Sequence, residues 1–401
     1  MISVEEARAR ILADLRPTAA EIEHLAGAWG RVTAAPIAAR LTQPPQDVSA
    51  MDGFAVQSAS STRGATLTLR GAAPAGHPWV GTLGAGEALR IFTGSFMPAG
   101  TDAVLLQEDA TWDSARVTVN EAVTKGRHIR SAGQDFALGD VLLPAGKRLT
   151  ARDIGLAAAG NVPWVSVRRR PRIAILATGD EIALPGEPIP PGGIVSSNAH
   201  ALAALIRAGG GEPVVLPIAP DDREAIAAAS DAARGCEMLV TTGGASVGEH
   251  DLIQDALAAR GLRIDFWKIA MRPGKPLIHG RLGDVPLLGL PGNPVSSLIT
   301  AILFLLPAIG VLSGLADAGA PVSQAVLGAD LAANDQRADH LRARLALRAD
   351  GMPVVTAFGR QDSAMLRLLA LSDALILRPP HAPAAATGDM VPVIRLDTLG
   401  L

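Results

Sequence analysis

A chain of 401 residues, 48% hydrophobic and 19% charged, with a mean hydropathy of +0.27, can bury cores for about three or four folded domains and is no tail or linker. Its formal net charge of −3, without any block of like charges, excludes the basic face that neutralises a nucleic-acid backbone. The single cysteine, Cys236, excludes an internal disulfide framework and a cysteine zinc site, and the eight histidines are scattered without metal-ligand spacing.

In chain order, the opening MISVEEARAR carries acids where a signal peptide would be basic and then apolar, so the expectation is a cytoplasmic protein. Residues 1–42 read as helical, with Val4, Ala7, Ile11 and Leu12 on one face and, after Pro17, Ile22, Leu25 and Ala26 on another. Residues 43–137 break into short apolar runs cut by Gly and Pro (TLTLRG, EALRIFTG, DAVLLQED, RVTVNEAV), the spacing of a small all-β domain. Helical character returns over 138–168, centred on Asp153 to Ala159, so the β domain is expected as an insertion into an α-rich platform. After the basic linker VRRRPR, residues 169–318 alternate strand and helix patterns, which predicts a doubly wound α/β domain whose parallel sheet is covered on both faces. Within it the apolar run Leu298 to Leu312 contains Pro307 and falls short of the roughly 20 residues of a membrane span. Residues 319–401 read as β again. Apolar residues alternate there with His340, Arg342, Arg344 and Arg348 as one wet face, and Asp350-Gly351 turns a hairpin. Cys236 precedes an apolar strand and reads as buried filler.

Chemistry gathers in the alternating region. Three strands there end in Gly- and hydroxyl-rich turns: Thr178-Gly179-Asp180-Glu181, Thr241-Thr242-Gly243-Gly244-Ala245-Ser246 and Pro291-Gly292-Asn293-Pro294. In an open parallel sheet such turns share the carboxyl edge, where glycines admit a ligand to the backbone and helix N-termini favour a phosphate. Asn293 as cap with Pro294 in the first turn marks a helix start. No Gly-Lys-Ser/Thr and no Gly-x-Gly-x-x-Gly is present, which disfavours a P-loop ATPase or a nicotinamide enzyme. Lys268, Arg272 and Lys275 offer cations, and Asp180, Glu181, Asp221, Asp222, Glu249 and Asp251 offer carboxylates that meet a phosphate through a metal, implying a Mg²⁺-dependent site for a phosphorylated or nucleotidylated small molecule. Asp222 as a helix cap and Lys268 as a surface cation are equally open. In PPQDVSAMDGFAV, Asp52-Gly53 reads locally as a turn that admits left-handed backbone before a strand starting at Phe54.

Taken in order, SAMDGFAV, RIFTGSFMPAGTDAVLLQED, IRSAGQDFALGDVLLPAGKRL, ILATGDEI, GGIVSSNAHALAALI, TTGGASVGEHD, IAMRPGKPLIHG and GLPGNPVSS resemble the molybdopterin molybdenumtransferase family, to which the C-terminal part of gephyrin also belongs. The resemblance implies a homodimer of four-domain subunits, the last domain β-barrel-like, that inserts molybdate into adenylylated molybdopterin with Mg²⁺ and releases AMP. By its pattern Asp52, Thr93, Asp135, Glu181, Asp251 and Lys275 would be catalytic, Glu181 and Asp251 would hold the metal, and Thr178, Gly179, Asp221, Thr242, Gly243, Gly244, Ser246, Arg272, Pro291, Gly292, Asn293, Pro294 and Ser363 would bind substrate. A molybdopterin adenylyltransferase and molybdoenzyme maturation proteins are the protein partners it implies. The chain departs from the pattern at Gln46, Phe54, Arg272 (usually Lys) and Asp362 (usually Gly). Three other readings stay open: a molybdopterin adenylyltransferase, a non-enzymatic molybdopterin-binding scaffold and a general Mg²⁺-dependent phosphohydrolase.

Overall fold

The computed structural model describes residues 1–243 and 252–399. Its central sheet runs in the order Glu212–Val215, Arg172–Ala177, Met238–Thr242, Val285–Leu290, Pro276–Leu282, Leu262–Lys268. The first four strands are parallel, as the alternating pattern predicts, but the last two are antiparallel. The reason is the connection: only Gly283 and Asp284 separate Leu282 from its partner Val285, and a two-residue turn can join antiparallel strands but not a crossover. Gly283 meets the turn's demand with φ +59°. Each strand splits its side chains by period two. Ile173, Ile175, Met238, Val240, Leu288 and Leu290 face one core, and Ala174, Leu176, Leu239 and Leu287 face the other.

The helical run Pro294–Leu312 crosses the first core; it is 19 residues long and apolar enough to cross a membrane, but 83% of it is buried inside the protein. A π turn at Ala301–Leu305 interrupts it ahead of Pro307, whose ring and missing N–H a regular turn would not accommodate. Against this run pack Val4, Ala7 and Ile11 of the helix Val4–Ala13, which Ser3 caps by accepting from the Glu6 N–H at 3.0 Å.

The second helix expected before residue 40 is instead a strand. Ala20–His24 pairs antiparallel with Trp164–Arg168, followed by a short 3₁₀ turn over Leu25–Gly27. Ile22, counted toward a helical face, is 67% exposed, while Glu21 and Glu23 both bind the buried Arg31. The ladder partner lies some 140 residues away, and local periodicity cannot register it. The helix Ala151–Ala159 matches its expectation, with a Thr150/Asp153 capping box.

Residues 53–119 build a six-stranded sheet in the order Ala103–Leu106, Gly53–Val56, Glu87–Ile91, Thr66–Ala73, Arg116–Val119, Ala110–Trp112. At the C-terminus five strands close on themselves. Ala338–Leu347 pairs with Pro353–Ala357, then Val322–Leu327, Met390–Arg395 and Ala374–Arg378 follow, and the last returns to the first. The expected wet face of Ala338–Leu347 is wet only at its far end. Arg344 and Arg348 are exposed, whereas His340 and Arg342 are 5% and 1% exposed, because the N-terminal helix and Leu303 lie beside His340 and the turn over residues 361–365 covers Arg342. Cys236 is buried, as expected.

Candidate functional site

The three glycine-bearing turns do converge. Gly243, at φ +92°, lies where a Cβ would come within 2.5 Å of the Thr178 carbonyl, so those two backbones touch only because a side chain is absent; a Cβ at Gly292 would sit in ordinary contact, 3.7 Å from the Gly243 Cα. Gly179 (φ +144°) leaves room for the Glu181 carboxylate, which folds back over it; a Cβ there would sit 2.6 Å from Oε2. Thr178 and Thr242 are buried, while Glu181 is exposed at the rim. Together Glu181, Ile182, Ile194, Asn198, Thr242, Gly243, Gly292, Asn293 and Pro294 enclose much of a cavity of 610 Å³.

Two side chains tie this edge together, and only one was expected to take part. Asn198, the first residue of the helix Asn198–Ala208, donates from Nδ2 to Thr242 Oγ1 at 2.8 Å and to the Gly292 carbonyl at 2.7 Å. Its signal was present in GGIVSSNAHALAALI, as an Asn opening a helix after a sheet strand. Asn293 occupies the N-cap position before Pro294, but its side chain makes no cap bond. Its Nδ2 instead donates to Ser363 Oγ at 3.1 Å, while the Ser363 carbonyl accepts from the Val295 N–H at 3.2 Å.

Ser363 thus brings the barrel domain to the edge of the sheet domain. The turn that carries it is held from below by the buried Arg342, which donates to Gln361 Oε1 at 3.3 Å and to the carbonyls of Asp362 (2.9 Å) and Met365 (3.0 Å). Sequence reading missed this because an arginine alternating with apolar residues looks like a solvated one. Ser363 also lines an adjoining cavity of 380 Å³ with Arg272, Lys275, Ser296, Arg337 and Asp362.

The cations in that cavity differ in freedom. Arg272 belongs to the short strand Met271–Arg272, which pairs in parallel with Ala338–Asp339, and its guanidinium binds Asp339 at both oxygens and Asp335 at 3.4 Å. The Asp339 carboxylate raises its pKa above the usual arginine range. Lys275 is exposed and has no ion pair among the described residues. Its loop is fixed by Gly274 (φ +106°), where a Cβ would meet Thr300 Cγ2 at 2.4 Å. Lys268 lies apart, its ammonium 3.6 Å from the ring centroid of Trp267. Of the acidic pair, Asp222 caps the helix Arg223–Asp231 by accepting from the Ala225 N–H at 2.8 Å. Asp221 leaves its carboxylate exposed, and its N–H binds Asp180 Oδ1 at 3.1 Å.

On the β domain, Asp52 accepts from the Thr93 N–H at 2.7 Å and from its hydroxyl at 2.9 Å. The Thr93 N–H, then its hydroxyl, hold the exposed carboxyl below its ordinary pKa, with help from Arg90. Gly53 is not a left-handed turn residue but the first of the strand Gly53–Val56, where a Cβ would lie 2.1 Å from the Leu105 carbonyl. Close approach requires the glycine, so the left-handed turn reading of Gly53 does not hold, while Asp52 itself lies in a bend over residues 50–52. Asp135 is exposed in a separate cavity of 550 Å³ with Gln43, Gly94, Phe96 and Arg130, beside Thr93.

Gly244, Ser246 and Asp251 lie outside the described residues. Among the described residues no three His, Cys, Asp or Glu side chains form a metal-holding group. Glu181 at the cavity rim nonetheless fits the way Mg²⁺ binds, through one or two carboxylates with substrate phosphates completing the shell.

Residues 2–160 match the domain family described as MoeA N-terminal region (domain I and II), 174–310 the probable molybdopterin binding domain, and 324–396 the MoeA C-terminal region (domain IV). A molybdopterin molybdenumtransferase of Nostoc sp. is 37% identical over 94% of this chain and 88% of its own length. Molybdopterin molybdenumtransferase 2 of Mycobacterium tuberculosis is 34% identical over 98% and 99%. The crystal structure of the molybdopterin biosynthesis moeA protein from Pyrococcus horikoshii OT3 superposes with a TM-score of 0.86 at 25% identity, covering 98% of this chain and 99% of that one. With its matched regions in the same order and relatives of this identity along nearly its whole length, the chain belongs to the molybdopterin molybdenumtransferase family.

Proposed function

We propose that the protein inserts molybdate into adenylylated molybdopterin and releases AMP, as a step of molybdenum cofactor biosynthesis. The observation that carries the reading is the 610 Å³ cavity, whose floor of Gly243, Gly292 and the start of the helix Pro294–Thr300 offers backbone and helix-terminal dipole to a phosphate. Thr178, Gly179, Thr242, Gly244, Ser246 and Pro291 through Pro294 would bind the nucleotide there. Lys275, the cation of the adjoining cavity that has no ion pair among the described residues, would meet the oxyanion together with Ser363, and Arg272 would act through the latch it forms with Asp339. Glu181 and Asp251 would hold Mg²⁺, which when bound neutralises phosphate charge. Asp221, whose carboxylate is exposed, would bind substrate as the family pattern implies. The exposed carboxylates Asp52 and Asp135 and the Thr93 hydroxyl lie on another domain, and in a cytoplasmic homodimer they would complete the partner subunit's cavity.

Incubation with adenylylated molybdopterin, Mg²⁺ and either molybdate or tungstate, with AMP followed by chromatography, tests this reading. AMP release that requires the oxyanion is expected. Consumption of ATP on unmodified molybdopterin without oxyanion would make the protein an adenylyltransferase instead.

A further inference from the structure

We propose that Asn198 selects the ring of the substrate, accepting a hydrogen bond from an amino-substituted heteroaromatic ring through its Oδ1. Both hydrogens of its amide nitrogen are engaged, by Thr242 Oγ1 at 2.8 Å and by the Gly292 carbonyl at 2.7 Å, so the plane of the side chain is fixed. Oδ1 accepts no hydrogen bond among the described residues, although Asn198 lines the 610 Å³ cavity. A fixed acceptor without a donor, on the wall of a cavity, asks for one from the ligand.

The same cavity holds a second, independent indication. Ile194 and Val195 are 57% and 41% exposed, and with Ile182 they line it as an aliphatic wall. The short parallel pairing of Ile182–Ala183 with Ile194–Val195 holds that wall in place. Large aliphatic side chains left open inside a concave site cover the face of a flat ring, while a single fixed polar group reads its edge. Phosphate belongs on the glycine floor, so the aliphatic wall and Asn198 are left for the ring.

The inference rests on the proposed function, since both rings of adenylylated molybdopterin, adenine and pterin, carry an amino group. The experiment has one arm for each. Binding of AMP against IMP, and of pterin against its 2-oxo analogue lumazine, is measured for the wild type and for Asn198→Ala and Asn198→Asp. The wild type should prefer the amino ring by about tenfold in one arm, which identifies the ring. Asn198→Ala should reduce that preference to near unity, and Asn198→Asp, which keeps an acceptor and loses both donors, should retain it even where overall affinity drops. A loop clamp without ring contact would change affinity and leave the ratio alone. An unchanged ratio in Asn198→Ala, a lost ratio in Asn198→Asp, or no preference in either arm of the wild type overturns the inference; the last two decide it even if Asn198→Ala does not fold. Oxyanion-dependent AMP release by the wild type, assayed alongside, separates the cases: release without an Asn198-dependent ratio sinks only the role of Asn198, and absence of release sinks the proposed function.

Discussion

The carboxyl edge of the central sheet and the Asp52 segment of the β domain carry polar groups of equal promise but opposite completeness. At the sheet edge, within a single chain, Asn198 binds Thr242 and Gly292, Asn293 binds Ser363, and the first four of these residues line one cavity. The Asp52 carboxylate binds only Thr93 among the described residues, and it is exposed. A preassembled site can be read from a single chain; a carboxylate held ionised at a surface, outside the cavity of the sheet edge, can be assigned a role only through the proposed sharing of sites between subunits.

The comparison breaks or sharpens at four points. Lys275→Ala should lower AMP release the most, by about a hundredfold or more, because the adjoining cavity has no other unpaired cation among the described residues, while thermal stability stays near wild type. Unchanged turnover in the folded variant would remove Lys275 from the site. Asp52→Asn keeps the shape and removes the charge, so turnover should fall by about tenfold or more with melting temperature and dimerisation unaltered. Heterodimers of Asp52→Asn and Lys275→Ala subunits, verified as such, should regain one intact site; no recovery would place both residues in one chain's site or leave Asp52 outside any.

A third point concerns the seam where barrel and sheet domain meet. Burial, opposed by Asp339, Glu5 and the Arg272 carbonyl, lowers the pKa of His340 from 6.5 to about 4. The unfolded chain therefore takes up this proton near pH 6.5 and the native chain only near 4. The native state loses stability as pH falls between those values, by up to about 3 kcal/mol, and the contribution is flat above and below. Denaturation of His340→Leu against wild type from pH 7 to 4 should show a shallower loss in the variant. The smallest effect is expected at Asp222→Ala, which should cost about 1 kcal/mol as a lost helix cap and leave AMP release unaltered. A large loss of activity there would reverse the roles assigned to Asp221 and Asp222.

What the sequence disclosed follows from which signals are local. The three turns were legible because glycine and small hydroxyl residues after apolar strands state their own backbone needs, and Gly243 and Gly179 do take the positive φ that only glycine adopts easily. Ala20–His24 was not legible, since its strand character comes from a partner far along the chain. Gly53 was seen but misexplained: its reason is the Leu105 carbonyl across the sheet, which no dipeptide rule contains. Arg342 and Asn198 were passed over for a related reason. Their value lies in what they join, and neither Arg within a strand nor Asn at a helix start announces its partners.

The parallel pairing of Met271–Arg272 with Ala338–Asp339 makes the C-terminal barrel a poor candidate for a removable module. A chain cut near residue 319 would strip Arg272 of both carboxylates and uncover the part of the first core that Leu369, Leu375, Ile394 and Leu396 supply. Conversely, an isolated barrel would present Ala338–Asp339 as an unpaired strand edge, open to joining another copy. Domain exchange between relatives should therefore carry the Met271–Arg272 strand along with the barrel, with the fusion point upstream of Met271.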